Sequence, residues 1–166
     1  PYAKLSSNRT SYAESLVESY KRMVAGERNV QPLSDDYIKF MAFSIQTTSR
    51  SPIAIISMIT NRSYLNGLIH RGLRSTLIDT FSKITILDCH GDNNVGEDVP
   101  VGYENENLFD IRQGVSIFNF VKTNRKEAEV STGEIWGTRE EKYNLLNRNS
   151  LQTLTSKIDR PLSPNF

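Results

Sequence analysis

A near-continuous apolar, β-branched run at residues 52–60 limits most strongly what this chain can fold into. Such a run is typical of a strand buried on both faces, as in a parallel sheet. Residues 68–81 then repeat apolar side chains at helical spacing, and a second β-branched run follows at residues 83–89. Strand, helix and strand within about 40 residues form a βαβ unit, so the sequence predicts an α/β fold.

Further elements are predicted on both sides of this unit. Helices are expected at residues 11–26, 35–48 and 138–148, and strands at 115–121 and 128–135. The predicted N-caps are Ser11, Ser34 and Thr138. The predicted inward stripes are Tyr12, Leu16, Tyr20 and Met23 in the first helix, and Tyr37, Met41 and Ile45, widened by Ile38, Phe40 and Phe43, in the second. Because the polar, proline-punctuated end lacks such patterns, we expect a partial domain over residues 1–148 and a C-terminal arm over 149–166.

Charge and cysteine content exclude several classes of function. Lysine plus arginine is 20 and aspartate plus glutamate is 19, so the net charge of +1 excludes a generally basic nucleic-acid coat, though not a local basic face. The single cysteine excludes an internal disulfide framework and a multi-cysteine zinc site, and it suits a reducing cytoplasm.

No apolar run approaches the ~18 residues that a membrane span needs, so we expect a cytoplasmic protein with no membrane partner. The apolar share of 37 % is low, which indicates long loops or a core partly supplied by something else.

Residues 90–110 form a long acidic segment. They carry six acidic residues and no lysine or arginine, and their glycines and proline argue against regular structure. A loop of this length is uncommon in a compact domain and is usually functional or mobile. Since like charge repels phosphate, we expect this loop to fold against another domain or to stay mobile rather than to contact DNA.

The sharpest local string is Asp88-Cys89-His90-Gly91 at a predicted strand end. Asp-x-His-Gly resembles the first motif of metallophosphoesterases, but no histidine follows His90 to complete the metal set. The favoured alternative is that Asp88 and His90 fix the exit of the strand through hydrogen bonds. A Cys89–His90 nucleophile pair would need a bend, because adjacent strand residues point to opposite faces. We therefore expect no metal site.

A series of collinear motifs covers most of the chain. The series is Pro1-Tyr2, DDYIKF at residues 35–40, IISMITNRSYL at 55–65, HRGLR at 70–74, TILDCHG at 85–91, ENLFDIRQGV at 106–115 and IWGTREEKY at 135–143. Together these motifs resemble the C-terminal half of the methyltransferase region in type ISP restriction–modification enzymes. Those enzymes are large single-chain relatives of the gamma-class adenine DNA methyltransferases. The resemblance runs from Pro1 to about Leu146.

The resemblance implies the C-terminal half of a Rossmann-like sheet that uses S-adenosylmethionine. Residues 54–60, 83–89 and 115–121 would be its fifth, sixth and seventh strands, and the last two would pair antiparallel. Pro1 would be the second proline, and Tyr2 the aromatic residue, of an Asn-Pro-Pro-Tyr catalytic loop. The asparagine, the first proline and the glycine-rich cofactor turn would lie upstream, so the cofactor-binding residues are expected before this chain.

The family's chemistry implies roles for two aromatic residues. The asparagine side chain and a proline carbonyl accept hydrogen bonds from the exocyclic amino group of adenine, which steers its lone pair toward the sulfonium methyl. The adenine must be flipped out of double-stranded DNA, at a cost of a few kcal/mol. Stacking on aromatic side chains offsets this cost by about 1–3 kcal/mol per base. Tyr2 fits that stacking role, and Phe109 is the candidate for the other side of the base; the alternative for Phe109 is a core residue that closes the acidic loop.

Five further residues have both a functional and a structural interpretation. Asn61 and Tyr64 follow the carboxyl end of a predicted strand, where they would line the site; the alternatives are a turn and a core aromatic. Arg62, Arg71 and Arg74 are candidates for contact with DNA phosphates or neighbouring domains, although exposed helix arginines usually make neither contact.

The sequence therefore favours one hypothesis over another class of function. The favoured hypothesis is that the chain is part of an adenine-specific DNA methyltransferase. Its partners would be double-stranded DNA and the remaining domains of a restriction–modification polypeptide. Without the asparagine and the cofactor half, this chain should not methylate DNA by itself. The alternative is a catalytically empty module that uses the same half-fold to dock a partner protein or DNA.

Overall fold

A computed structural model describes residues 10–125 and 127–158. The helices are α1 (Ser11–Met23), α2 (Asp36–Thr48), α3 (Arg71–Thr80) and α4 (Arg139–Arg148), and the strands are β1 (Ala54–Asn61), β2 (Lys83–Asp88), β3 (Val115–Lys122), β4 (Glu129–Glu134) and β5 (Ser156–Lys157). Short 3-10 turns lie at Gln31–Ser34, Arg62–Tyr64 and Leu68–His70. Pro1 and Tyr2, the predicted catalytic-loop residues, lie outside the described residues.

The described strands form one mixed sheet in the order β1-β3-β2-β4-β5. Strand β3 runs antiparallel to both β1 and β2, so β1 and β2 point the same way, and β4 pairs parallel with β2. The carboxyl ends of β1, β2 and β4 therefore meet at one edge of the sheet. The predicted α/β class and the predicted antiparallel pairing of the second and third strands are confirmed. The predicted arm contributes β5, which pairs antiparallel with β4.

Helices α1, α2 and α3 cover one face of the sheet. The buried side chains of that face include Ile56, Ile84, Phe118 and Phe120, and the two phenylalanine rings stack with centroids 4.1 Å apart. A second, smaller cluster lies near the carboxyl edge and consists of Leu87, Cys89, Leu108, Val115 and Ile135. The larger core thus supports the sheet, and the smaller one supports the loop that follows β2.

The other face of β1 is open. Ile55 is 67 % exposed and Ile59 is 40 % exposed, and Ile53 just before the strand is 67 % exposed. Strand β1 ends the sheet order, and no strand among the described residues pairs with its outer edge. The prediction that this strand is buried on both faces is therefore wrong for the described part of the chain. We call these three isoleucines and the outer edge of β1 the β1 flank.

The first two helices begin and face the core differently from the prediction. Helix α1 is capped by Thr10, whose side chain accepts a hydrogen bond from the Ala13 amide, and not by Ser11. Its buried side chains are Ala13, Val17 and Tyr20, continued by Val24 beyond the helix end, while Tyr12 and Met23 are more than half exposed. In α2 the cap residue is Asp35 rather than Ser34; Tyr37, Ile38, Met41 and Ile45 are buried as predicted, but Phe40 and Phe43 are exposed. Helix α4 has the predicted Thr138 cap, completed by Glu141.

Within the described ranges, no helix has the length and apolar content that crossing a membrane requires.

Candidate functional site at the carboxyl edge of the sheet

Polar side chains gather where β1, β2 and β4 end. Arg62 follows β1, Asp88 ends β2 and Glu134 ends β4, and the loop after β2 adds His90 and Glu97. The carboxyl edge of an α/β sheet is where binding sites usually lie, because loops from several strands converge there. We call Arg62, Asp88, His90 and Glu97 the Arg62 hub.

Arg62 joins two buried carboxylates. Its Nε and Nη2 atoms donate to the two oxygens of Asp88 at 2.7 and 2.5 Å, and its Nη1 lies 2.7 Å from Glu97 Oε1. Burial lowers the pKa of Arg62, but the hydrogen bonds and the charges of both carboxylates outweigh it, so the pKa is raised. Burial raises the pKa of Glu97, yet hydrogen bonds from His90 and Asn105 and the nearby guanidinium hold it below its usual value. Arg62 and Glu97 therefore stay ionised near neutral pH.

His90 completes the hub in an unusual backbone conformation. Its φ of 54° lies in the left-handed region that side chains other than glycine rarely adopt. Its amide donates to Asp88 Oδ1 at 3.0 Å, its Nδ1 lies 2.9 Å from Glu97 Oε1, and its ring stacks on Trp136 with centroids 3.5 Å apart. The interpretation that Asp88 and His90 fix the strand exit through hydrogen bonds is confirmed.

The described residues give the two rival catalytic interpretations no support. Within residues 10–125 and 127–158, no group of three or more His, Cys, Asp or Glu side chains could hold a metal ion. Arg62 already occupies both oxygens of Asp88, where a metal would need them. Cys89 is fully buried, and burial raises the pKa of its thiol to about 12, so it is not an activated nucleophile.

The acidic loop is fastened near both of its ends. The Asn107 side chain donates to the carbonyl of Gly91 at 2.8 Å and to that of Gln113 at 2.7 Å, which ties the start of the loop to its end. Gly91 has a φ of 79°, and a Cβ there would lie 2.5 Å from the Asn107 Cα, so only glycine fits. Lys142 of α4 is fully buried and donates to the carbonyls of Cys89 and Glu106. The ends of this loop are therefore built into the domain, while the middle carries exposed side chains such as Val101.

Phe109 lies between the core and solvent. It is half-buried and packs against the cluster around Leu87, and it also lines a cavity of about 400 Å³ beside Asn93 and Arg139. Its amide donates to Asn107 Oδ1 at 3.0 Å. Phe109 thus serves partly as the core residue that closes the loop, and part of its surface borders an open cavity.

Asn61 and Tyr64 have structural roles in this chain: Asn61 is a turn residue and Tyr64 is a core aromatic, which were the alternatives to lining the site. Asn61 is buried, and its Oδ1 accepts hydrogen bonds from the amide and hydroxyl of Ser63, which caps the turn after β1. Tyr64 is 1 % exposed and meets Phe118 edge to face at 6.2 Å. Burial raises the pKa of the Tyr64 phenol. Tyr64 also lines a cavity of about 320 Å³ that it shares with Arg62, so it borders the hub.

The three candidate arginines all bond to protein groups in this structure. Arg62 belongs to the hub, Arg71 pairs with Glu27 at 2.8 Å, and Arg74 is buried and donates to the carbonyls of Tyr64 and Gly67. Arg74 therefore fixes the turn between β1 and α3 from inside. To contact a phosphate, each arginine would have to give up hydrogen bonds that it makes to protein groups in this structure. The free-energy cost of doing so is lowest for Arg71, which is partly exposed.

Sequence reasoning did not single out Glu97 or Arg139, and it did not predict that Lys142 is buried. Glu97 lies in an irregular loop, where nothing local marks a buried carboxylate. Lys142 and Arg139 did leave a signal, because they share a face of α4 with Tyr143 and Leu146 at helical spacing. A lysine on an inward-facing stripe indicates a buried cation that needs several acceptors.

No protein-family model matches the sequence, and no curated protein matches it. Solved structures do match. The chain is similar to a segment of a restriction–modification enzyme. The ATP-dependent Type ISP restriction-modification enzyme LlaBIII bound to DNA matches 99 % of this chain at 26 % identity with a TM-score of 0.77.

Two further structures are similar to the chain in fold. A nuclease-deletion mutant of the Type ISP restriction-modification enzyme LlaGI, in complex with a DNA substrate mimic, matches 99 % of this chain at 21 % identity with a TM-score of 0.80. The DrdV–DNA complex matches 95 % at 18 % identity, also with a TM-score of 0.80. The present chain spans only 12 % of the LlaBIII chain, 14 % of the LlaGI chain and 16 % of the DrdV chain.

Proposed function

We propose that this chain is part of an adenine-specific DNA methyltransferase within a restriction–modification enzyme. The complete enzyme would transfer a methyl group from S-adenosylmethionine to the exocyclic amino group of adenine. The observation that carries the proposal is the match of 99 % of the chain, at 26 % identity, to a segment of a DNA-bound Type ISP restriction-modification enzyme. The collinear motifs that begin at Pro1-Tyr2 support the more specific statement.

The sheet is consistent with half of a methyltransferase domain. Strands β1, β2 and β3 correspond to the fifth, sixth and seventh strands that the resemblance implies, and the acidic loop joins β2 to its antiparallel partner. An exposed strand edge with apolar side chains is a template for pairing with another strand. The β1 flank has these properties, and we propose that the polypeptide preceding Pro1 supplies the strand that pairs with it and the residues that cover it.

The described residues do not fit a cofactor site. Strand β1 leads into a 3-10 turn, β2 leads into the long acidic loop, and β4 reaches α4 through a turn with one glycine, Gly137, so none of the three enters a helix through a glycine-rich turn. We therefore assign the binding of S-adenosylmethionine to the preceding polypeptide and derive no step of the reaction through the cofactor here. No metal is required by the proposal.

In this proposal the chain positions the target base. Phe109 and Tyr2 would stack on opposite sides of an adenine flipped out of double-stranded DNA. The exposed part of Phe109 borders a cavity of about 400 Å³, which gives an aromatic surface access to the outside. The Arg62 hub and α4 would hold the loop that carries Phe109, so that its ring is in place before DNA binds.

The test measures transfer of a radiolabelled methyl group from S-adenosylmethionine to DNA by the natural polypeptide that carries these residues. Replacing Phe109 by alanine should lower kcat about 5- to 150-fold, the equivalent of 1–3 kcal/mol of lost stacking. The matched control is Phe43→Ala, which removes an exposed phenylalanine on α2 and should leave kcat unchanged. The isolated 166-residue chain should transfer no methyl group.

Two outcomes would contradict the proposal. DNA binding without methyl transfer by the wild-type polypeptide would indicate the catalytically empty module. Label recovered on cytosine rather than adenine would refute the base specificity.

A further inference from the structure

Helix α4 holds four consecutive backbone carbonyls of the loop that carries Phe109. Lys142 Nζ donates to the Glu106 carbonyl at 2.6 Å, and the Tyr143 hydroxyl donates to that of Leu108 at 2.7 Å. Arg139 donates to two carbonyls, from Nε to Asn107 at 2.9 Å and from Nη2 to Phe109 at 3.2 Å. We call Arg139, Lys142 and Tyr143 the α4 clamp.

The clamp is unusual because it acts on irregular backbone. Residues 106–109 belong to no helix or strand, and such carbonyls commonly turn to water. Here three side chains at positions i, i+3 and i+4 of one helix face satisfy all four. Two backbone amides reinforce the contact: the Glu106 amide donates to the Gly137 carbonyl at 3.1 Å, and the Arg139 amide donates to the Glu106 side chain at Oε2 at 2.7 Å. The start of α4 and the loop before Phe109 are therefore joined by hydrogen bonds that run in both directions.

The three clamp residues differ in what they contribute. Lys142 is fully buried and also bonds the Cys89 carbonyl, so its loss would disturb the fold. The Arg139 side chain is 43 % exposed and borders the same cavity as Phe109. Its guanidinium bonds the carbonyl of Phe109 itself, which makes it the clamp residue that most directly fixes where the ring lies.

We propose that Arg139 is a positioning residue that holds Phe109 in place for the target base. This inference rests on the proposed function, in which Phe109 stacks on the flipped adenine. The planar guanidinium donates from two separate nitrogens, Nε and Nη2, to two carbonyls, a fixed geometry that a lysine ammonium would reproduce only in part. A misplacement of about 1 Å at a reacting group costs up to about 100-fold in rate, so a local shift of Phe109 should be visible in kcat.

The experiment compares Arg139→Gln with Arg148→Gln in the natural polypeptide. Arg148 lies at the other end of α4 and is the matched control. We expect R139Q to lower kcat by about 10- to 100-fold while the KM for S-adenosylmethionine changes less than about twofold. R139K should recover part of the loss. With 2-aminopurine at the target position and the DNA saturated with enzyme, R139Q should also change the fluorescence of the flipped base, whereas R148Q should not.

A double mutant tests whether Arg139 acts through Phe109. In the Phe109→Ala background, R139Q should lower kcat by less than about twofold, because the group that it positions is gone. Fully multiplicative effects of the two substitutions would overturn the inference. An equal effect of R148Q would overturn it as well, since the loss would then belong to the helix in general.

Amide hydrogen exchange separates this inference from the proposed function. In R139Q, exchange at residues 106–111 should become faster while exchange in β2 stays unchanged. Unchanged exchange at 106–111 would refute the clamp whether or not the enzyme methylates DNA. If exchange at 106–111 is faster in R139Q but the wild-type enzyme transfers no methyl group, the proposed function and the base-positioning role of Arg139 are both refuted. The α4 clamp would then have only a structural role.

Discussion

The carboxyl edge of the sheet and the β1 flank are built in opposite ways. At the carboxyl edge, Arg62 bonds two buried carboxylates and the loop after β2 is fastened at both ends. On the β1 flank, isoleucines such as Ile55 face outward beside a strand edge that no described strand covers. The described part of the chain thus fastens its own loop region, whereas it leaves the β1 flank uncovered, which is the surface that the proposed preceding polypeptide would cover.

The largest effect should come from breaking the Arg62 hub. Arg62→Met leaves Asp88 and Glu97 buried without their cation, which should lower the free energy of unfolding by about 3–5 kcal/mol. The control is Arg71→Met, which removes a half-exposed pair with Glu27 and should cost about 0–1 kcal/mol. Urea unfolding of both variants measures the difference, and equal losses would show that the hub is not a special point of stability.

The two faces of β1 should respond differently to the same truncation. Ile56 is buried under the helices, so Ile56→Ala should lower the free energy of unfolding by about 2–5 kcal/mol. Ile55 is 67 % exposed, and Ile55→Ala should change it by less than about 0.5 kcal/mol. Chemical denaturation of the 166-residue chain tests both. A large loss for Ile55→Ala would mean that the flank is already covered, for example by a second copy.

The free energy of unfolding should also depend on pH through His70, which is buried on the side of the sheet that the helices cover. Burial, and then the charge of Arg74, lower the pKa of His70 from 6.5 to about 4, so the folded chain keeps this ring neutral. The unfolded chain binds the proton more readily, and the free energy of unfolding should therefore fall as the pH drops from about 6.5 to about 4. The loss should be roughly 2–3 kcal/mol. Across this pH range, the free energy of unfolding should change less for His70→Gln than for the wild-type chain. An identical pH dependence in the two proteins would contradict the assignment of the effect to His70.

Local patterns predicted much of the fold. The stripe of Tyr37, Met41 and Ile45 in α2 and the Thr138 cap of α4 were predictable because their determinants lie within a few residues. The stripe of α1 was predictable only in part. The buried residues Ala13, Val17 and Val24 each lie one position from a predicted residue, and only Tyr20 belongs to both sets.

Long-range partners explain the remaining differences. Arg74 was interpreted as an exposed helix arginine, but it is buried and reaches turn carbonyls, and the buried His70 reaches the Tyr37 hydroxyl at 3.2 Å. The Asp88–His90 contact was predictable because it spans two residues. The bond of Arg62 to Asp88 spans 26 residues, and nothing in either local pattern indicates it.

The most direct test of the half-domain account is amide hydrogen exchange along β1, in the 166-residue chain and in the natural polypeptide. If the chain is half of a methyltransferase domain, the β1 amides that do not bond to β3 should exchange quickly in the isolated chain. The same amides should be protected in the natural polypeptide, because a preceding strand would pair with the outer edge. Equally fast exchange of these amides in both proteins would contradict the account, since the β1 flank would then have no strand partner.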